Sequence, residues 1–291
     1  MRRTLLLAAA VLLLALVVPL LFSLAGAGLP RVDSLARTPP RRTSMMRARE
    51  DEARRHHQVY HVDQRWVSYD HISPLLRRAV LIAEDDAFFS HDGFDWNEMR
   101  QAARTNLQRG RVVRGGSTIT QQLAKNLYLS EERSLLRKLK EMILAVRIER
   151  ALTKRRIFEL YLNLIEWGDG IYGAEAAARR HFGVAADELD ARQAALLAAV
   201  IINPRRYSPE APGRRIERRM RMILSRMRRR GFLSEHEYRV AIGEAPSFNP
   251  FEWIFGAPRD TVPAPEPEVP PDSMGSDSGG FPATDDSLPP P

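Results

Sequence analysis

Apolar residues recur at helical spacing along residues 65–253, and no segment there alternates apolar and polar positions for long. That pattern offers a sheet no face to bury and predicts an all-α domain. Start and stop residues divide it into helices. Pro74 opens one with Leu75, Leu76, Ala79, Val80 and Ala83 on its apolar side, ending near Glu84. Asp95 and Glu98 form a capping box ahead of a helix that stops at Gly110, and Thr118 with Gln121 starts another. Ser130 caps a long helix through about Leu152, and Thr153 caps the next, which ends at Gly168. Glu175 to His181 is short and closed by Gly183. Asp190 to Ile202 is almost wholly apolar and reads as a buried core helix. Gly213 to Arg230 is Arg-rich and amphipathic, closed by Gly231, and Ser234 with Glu237 caps a last short helix. The domain shows no internal repeat.

The flanks differ from this body. Thr4 to Pro30 carry no charge and are long enough to cross a bilayer once. A signal anchor and a cleaved signal peptide both fit, since Pro19 divides the run and Ala25-Gly26-Ala27 resembles a cleavage site. The apolar run resumes at Leu20-Leu21-Phe22, which favours the anchor. The expected organisation is a short cytoplasmic end (1–3), a transmembrane anchor (4–30), a linker (31–64), the helical domain (65–253) and a disordered acidic tail (257–291). That tail holds seven acidic residues, one basic residue and ten Pro. The whole chain has 44 Lys and Arg against 36 Asp and Glu, so the body is more basic than the net charge of +8 indicates. A cationic body outside the cytoplasm seeks a lipid-linked anion rather than nucleic acid. With no Cys there is no disulfide framework, Cys-ligated zinc or thiol nucleophile.

Four segments carry candidate chemistry. In the first, Glu84-Asp85-x-x-Phe88-x-x-His91-x-Gly93-Phe94-Asp95, carboxylates end an apolar helix beside two Phe. Apolar neighbours raise a carboxyl pKa and suit it to accept a proton near neutral pH, although on this segment alone solvated helix-end charges over a Phe core are the plainer reading. In the second, Gly115-Gly116-Ser117-Thr118 leads into a helix start followed by Gln121, Gln122, Lys125 and Asn126. Free N–H groups there favour an anion, without the spacing of a P-loop; an ordinary capped helix is the plainer reading. The third places Arg133, Arg137 and Glu141 at i, i+4 and i+8, with Lys138 on the same side and Leu135, Leu136, Leu139, Ile143 and Leu144 burying the opposite face. It is a cleft wall or a solvated ion-pair face. The fourth, Lys154 to Asn163 followed by Gly168-x-Gly170-x-x-Gly173, has no strand before it. It therefore reads as small residues permitting helix packing, not a dinucleotide site. No metal-binding motif is present.

In this order and spacing the segments resemble the glycosyltransferase domain of bacterial peptidoglycan polymerases, the transglycosylase half of class A penicillin-binding proteins, and most nearly the monofunctional biosynthetic peptidoglycan transglycosylases. The strings E-D-x-x-F-x-x-H-x-G-F-D, G-G-S-T-I-T-Q-Q-L-x-K-N and R-K-x-x-E are all present, over residues 66–207 and less clearly to 253. Phe158, Trp167 and His181 depart from the usual residues. No S-x-x-K or K-T-G accompanies them, so the likeness is to the single-function form.

The resemblance implies a lysozyme-like fold and elongation of glycan strands from lipid II, with inversion and release of undecaprenyl pyrophosphate. It makes Glu84 the base and Glu141 the second glutamate, on the donor side. Ser117, Gln121, Gln122, Lys125, Asn126, Arg133, Arg137 and Lys138 become the substrate and pyrophosphate contacts. It implies no required cofactor, and leaves divalent-cation assistance open. The partners implied are lipid II, a lipid-linked glycan strand, the membrane and cell-wall synthesis proteins. The place implied is the periplasmic side of the bacterial inner membrane, on a single-pass protein. A lytic enzyme of lysozyme-like fold and a non-catalytic membrane-anchored scaffold are the competing readings. The Arg-rich helix 213–230 then faces anionic headgroups or plain solvent. Of the 44 basic residues only Lys125, Lys138, Lys140 and Lys154 are Lys.

Overall fold

A computed structural model describes residues 28–110, 115–132 and 134–244. The expected membrane anchor up to residue 27, the acidic tail and Arg133 lie outside the described residues. Those described are mostly helical: α1 (Ser44–Arg55), α2 (Pro74–Glu84), α3 (Trp96–Gln108), α4 (Ile119–Tyr128), α5 (Leu135–Ala151), α6 (Lys154–Leu164), α7 (Ala174–Phe182), α8 (Ala191–Val200), α9 (Arg214–Arg229) and α10 (Glu235–Ile242). Helix α8 is buried almost all round because Ala and Leu fill it, and it packs between α2 and α9. A second group sets α4 against α5, α6 and α1. Both share one core, whose largest side chains include Trp167, Tyr161, Phe88 and Phe158.

Local signals place most helix ends. Thr118 accepts from the N–H of Gln121, whose side chain returns to the N–H of Thr118, closing the expected capping box. Asp190 with Gln193 and Ser234 with Glu237 do the same. Asp95 accepts from the N–H of Glu98, which is half of the expected box.

Four expectations are corrected. First, α5 is capped by Ser134, not Ser130, and its first residues Leu135 and Leu136 are exposed (92% and 56%), not buried. Only Ile143, Leu144 and their neighbours further along hold this helix to the core.

Second, α6 ends at Leu164, and a small sheet follows: β1 (Asp63–Gln64), β2 (Glu166–Gly168) and β3 (Ile171–Tyr172), in the order β1-β3-β2. Strand β1 runs parallel to β3, and β2 antiparallel. Third, Gly173 permits the expected close approach of helices, since it is the N-cap of α7 and a Cβ there would lie 2.7 Å from the Asn163 carbonyl oxygen of α6, but Gly168 and Gly170 serve this sheet. Gly170 has φ +75°, and a Cβ there would lie 2.3 Å from the His61 carbonyl oxygen.

Fourth, residues 31–64 are not a free linker. Val32 and Leu35 are buried in the main core, and the Leu35 carbonyl accepts from Arg156 Nε at 2.9 Å. Helix α1 packs against α4 and buries Met45 and Met46. Arg49 on α1 donates to both oxygens of Glu131, each at 2.9 Å. Asn163 fixes the following strap by accepting from the N–H of Val67 and donating to its carbonyl, both at 3.0 Å.

Candidate active site

Helix α2 ends against a cleft of about 860 Å³. Its last residues, the 115–118 loop, Gln122 of α4 and one face of α9 line it. Asp85 leaves helical geometry at φ −163°, so Glu84 and Asp85 point different ways. Asp85 turns inward. It accepts from His91 Nε2 at 3.0 Å and from the N–H of Ile119 at 2.9 Å. The positive end of α4 therefore already holds a resident anion, Asp85, and its next N–H satisfied by a side chain, that of Gln121, is taken by the Thr118 hydroxyl at 3.3 Å. The expected anion seat at this helix start is a brace within the fold.

Glu84 faces the cleft. Its Oε2 accepts from Gln122 Nε2 at 2.9 Å and its Oε1 from Arg219 Nη2 at 2.8 Å. Tyr161, from α6 beneath, donates its hydroxyl to Gln122 Oε1 at 3.0 Å, which fixes the amide orientation. Arg219 also donates to the Ala83 carbonyl at 3.1 Å, near the negative end of α2. Burial pushes the Glu84 carboxyl above the usual range, against the lowering effect of Arg219 and Gln122. Such a group is suited to take a proton from a weak nucleophile.

A second cluster sits on α5. Arg137 donates to Glu141 at 2.6 Å, and Lys138 contacts both Glu141 and the Ser117 hydroxyl, the latter at 3.2 Å. Glu141 is buried, so two cations hold it and it holds them. Lys125 has no hydrogen bond or ion pair from its ammonium among the described residues. Burial pushes its pKa down, Glu141 opposes this, and Arg137 adds to it. An unpaired, partly desolvated ammonium beside Arg137 and Lys138 gains by receiving an anion.

Of the expected site residues, the structure gathers Glu84, Ser117 and Gln122 along the cleft, and ties Arg137, Lys138 and Glu141 to Ser117. Lys125 adjoins this group through its charge interactions, and Asn126 is half-buried on the same helix. Gln121 does not join them. It is 1% exposed, and its Oε1 accepts from Thr118 in the capping box. Among the described residues no three His, Asp or Glu side chains gather to hold a metal ion.

Sequence reasoning missed Arg219. The Arg run on α9 reads as a solvated or membrane-facing surface, yet it forms a cleft wall. A signal was available. Arg219 lies three residues after Ile216 and four before Ile223, both buried, so it flanks the apolar stripe rather than opposing it. Tyr161 was missed because its hydroxyl reaches Gln122 only through the tertiary packing of α6 on α4.

The family model described as transglycosylase matches residues 50–228. The biosynthetic peptidoglycan transglycosylase of Aromatoleum aromaticum is 51% identical over 188 residues, 65% of this chain and 81% of its own. That of Laribacter hongkongensis is 52% identical over 163 residues, 56% and 72% of the respective chains. Penicillin-binding protein 1A from Haemophilus influenzae, a solved structure, matches 64% of this chain and 18% of its own at 22% identity and a TM-score of 0.37, too low to bear on the argument. The family model spans more than half of the chain, and it takes in the Glu84 carboxylate, the α5 cluster and all of the cleft but Arg229 and Arg230: this chain belongs to the transglycosylase family of enzymes.

Proposed function

We propose that the chain polymerises peptidoglycan glycan strands from lipid II on the periplasmic side of the bacterial inner membrane. Glu84 removes the proton from the 4-hydroxyl of the incoming disaccharide as that oxygen attacks the anomeric carbon of the lipid-linked strand. The new C–O bond forms as the bond to the diphosphate breaks, so an α-linkage becomes β and undecaprenyl pyrophosphate leaves. A diphosphate needs charge balance more than a proton on departure. Lys138, Arg137, Lys125 and Ser117 supply it, with Arg133 and Asn126 as further contacts, and Glu141 orients the first two cations. Gln122 and Arg219 hold Glu84 in place.

One observation carries this reading: a largely buried carboxylate on one cleft wall, near a cation cluster joined to the same cleft through Ser117. The names of the relatives support it. A lytic enzyme would need a carboxylic acid on a glycosidic oxygen and no cation cluster. Labelled lipid II given to the full chain in detergent should yield polymer. Glu84→Gln, isosteric and unable to accept the proton, should lower turnover by about 10²-fold or more while the protein stays folded. Fragments from isolated cell wall, or unchanged polymerisation by Glu84→Gln, would overturn the reading.

A further inference from the structure

The cation cluster of α5 accounts for one diphosphate, but the proposed reaction joins two lipid diphosphates. The donor loses its own; the acceptor keeps its own through the step. On the proposed reading, the cleft therefore needs a second anion seat that binds without taking part in bond breaking.

Helix α9 supplies the residues. Arg219, Arg226 and Arg230 stand at i, i+7 and i+11, and with Arg229 they line the cleft. Their states differ. Arg219 is paired with Glu84, and both terminal nitrogens of Arg230 are held by the two oxygens of Asp86. Arg226 and Arg229 are exposed, and their side chains make no ion pair or hydrogen bond among the described residues. Of the other carboxylates on the cleft, Asp95 caps α3, Asp85 is held by His91 and Ile119, and Glu98 stands in the first turn of α3, whose positive end it faces.

Position agrees with chemistry. Seven residues of α-helix rise about 10 Å, so Arg226 stands about that far along the cleft from the residue that grips the base, and Arg229 a turn beyond. In the acceptor the attacking hydroxyl and the diphosphate lie at opposite ends of one disaccharide, a matching span. A guanidinium presents a planar fork that fits two phosphate oxygens.

We infer that Arg226 and Arg229 seat the diphosphate of the acceptor, separately from the Lys138–Arg137–Lys125 group that receives the leaving diphosphate. This rests on the polymerase reading and assigns the acceptor side of the same cleft. Because the acceptor diphosphate is unchanged in the reaction, its seat acts on binding and not on turnover.

The test uses the full chain in detergent, with a water-soluble short-chain lipid II as probe. Arg226→Gln/Arg229→Gln should raise KM about tenfold or more, the loss expected for a charged hydrogen bond. Turnover at saturation should fall less than about threefold, and the pH profile should not move. Arg226→Lys/Arg229→Lys should recover part of the loss. Both side chains are exposed, so the melting temperature should match the parent, which excludes misfolding. Direct binding of the probe, read by fluorescence anisotropy, gives the same comparison without turnover. If the parent makes no polymer, the polymerase reading fails; if it polymerises and neither KM nor probe binding changes in the double variant, this inference alone fails. The membrane source is separated by flotation with phosphatidylglycerol-containing vesicles. A variant that loses only vesicle binding, with the short-chain probe bound as before, also overturns the inference.

Discussion

Arg219→Met removes the cation that grips Glu84 while keeping an apolar stem of similar length. Glu84 then loses the charge that opposes desolvation, so its carboxyl should titrate at still higher pH. The Arg219 and Glu84 side chains are 23% and 12% exposed, so solvent screens the pair in part and moderates the upward shift. The sign follows directly. On the proposed reading Glu84 works when ionised; raising its pKa shrinks the ionised fraction below that pKa. The acid limb of kcat/KM against pH should move to higher pH, with lower rates on that limb, bounded by the roughly 10²- to 10⁴-fold that a positioned base supplies, and recovery on the alkaline side. The assay is initial polymerisation of labelled lipid II across pH, for parent, Arg219→Met and Arg219→Lys. The Lys variant keeps a positive charge and should lie between the other two. A loss equal at every pH would refute this reasoning. It would make Arg219 a group that binds substrate anion rather than one that tunes the base.

Further outcomes follow from other contacts. Lys154 Nζ pairs with Glu149 at 2.8 Å and stands 4.3 Å from the centroid of the Phe88 ring, so Lys154→Ala should cost about 3 kcal/mol in thermal or urea unfolding. Turnover per folded molecule should be nearly unchanged, and a normal melting temperature would count against the contact. Gly170→Ala would force φ +75° on a residue with a side chain against the His61 carbonyl, so the melting temperature should fall by several degrees. Lys138→Ala releases Ser117, leaves Glu141 held by Arg137 alone, and should lower kcat about tenfold or more, with a smaller change in KM. An effect confined to KM would move Lys138 from the leaving group to ground-state binding.

Features written in a few neighbouring residues were legible in the sequence. The Thr118–Gln121 and Ser234–Glu237 boxes, the Pro74 start and the Gly183 stop all stand where local chemistry puts them. Features made by distant partners were not. Strands of two or three residues show no period, so β1 to β3 are invisible until they pair. Helix α1 carries only Met45, Met46 and Ala53 to the core amid Arg and Glu, which is too thin an apolar stripe to signal burial. Glu84 and Asp85 are adjacent in the chain, yet one faces the cleft and the other Ile119 and His91, a division set by the backbone break at Asp85. Gln121 and Gln122 divide likewise, because one turn of helix sends neighbours to different faces.

The docking of residues 31–64 on the body has a mechanical consequence. A folded unit on a loose tether wanders within the tether's reach, and its mouth points in many directions. Here Leu29 packs against the core, Val32 and Leu35 enter it, and Arg49 bolts α1 to Glu131 just ahead of α5. The chain from residue 29 onward is a bracket rather than a leash. If the apolar run ahead of residue 28 holds the bilayer, the height and tilt of the cleft above the lipid are set by that bracket. A lipid-linked substrate then meets the cleft in one orientation, without a search for it. Lengthening the segment between residues 28 and 31 with flexible Gly-Ser would restore the search while leaving every catalytic contact untouched.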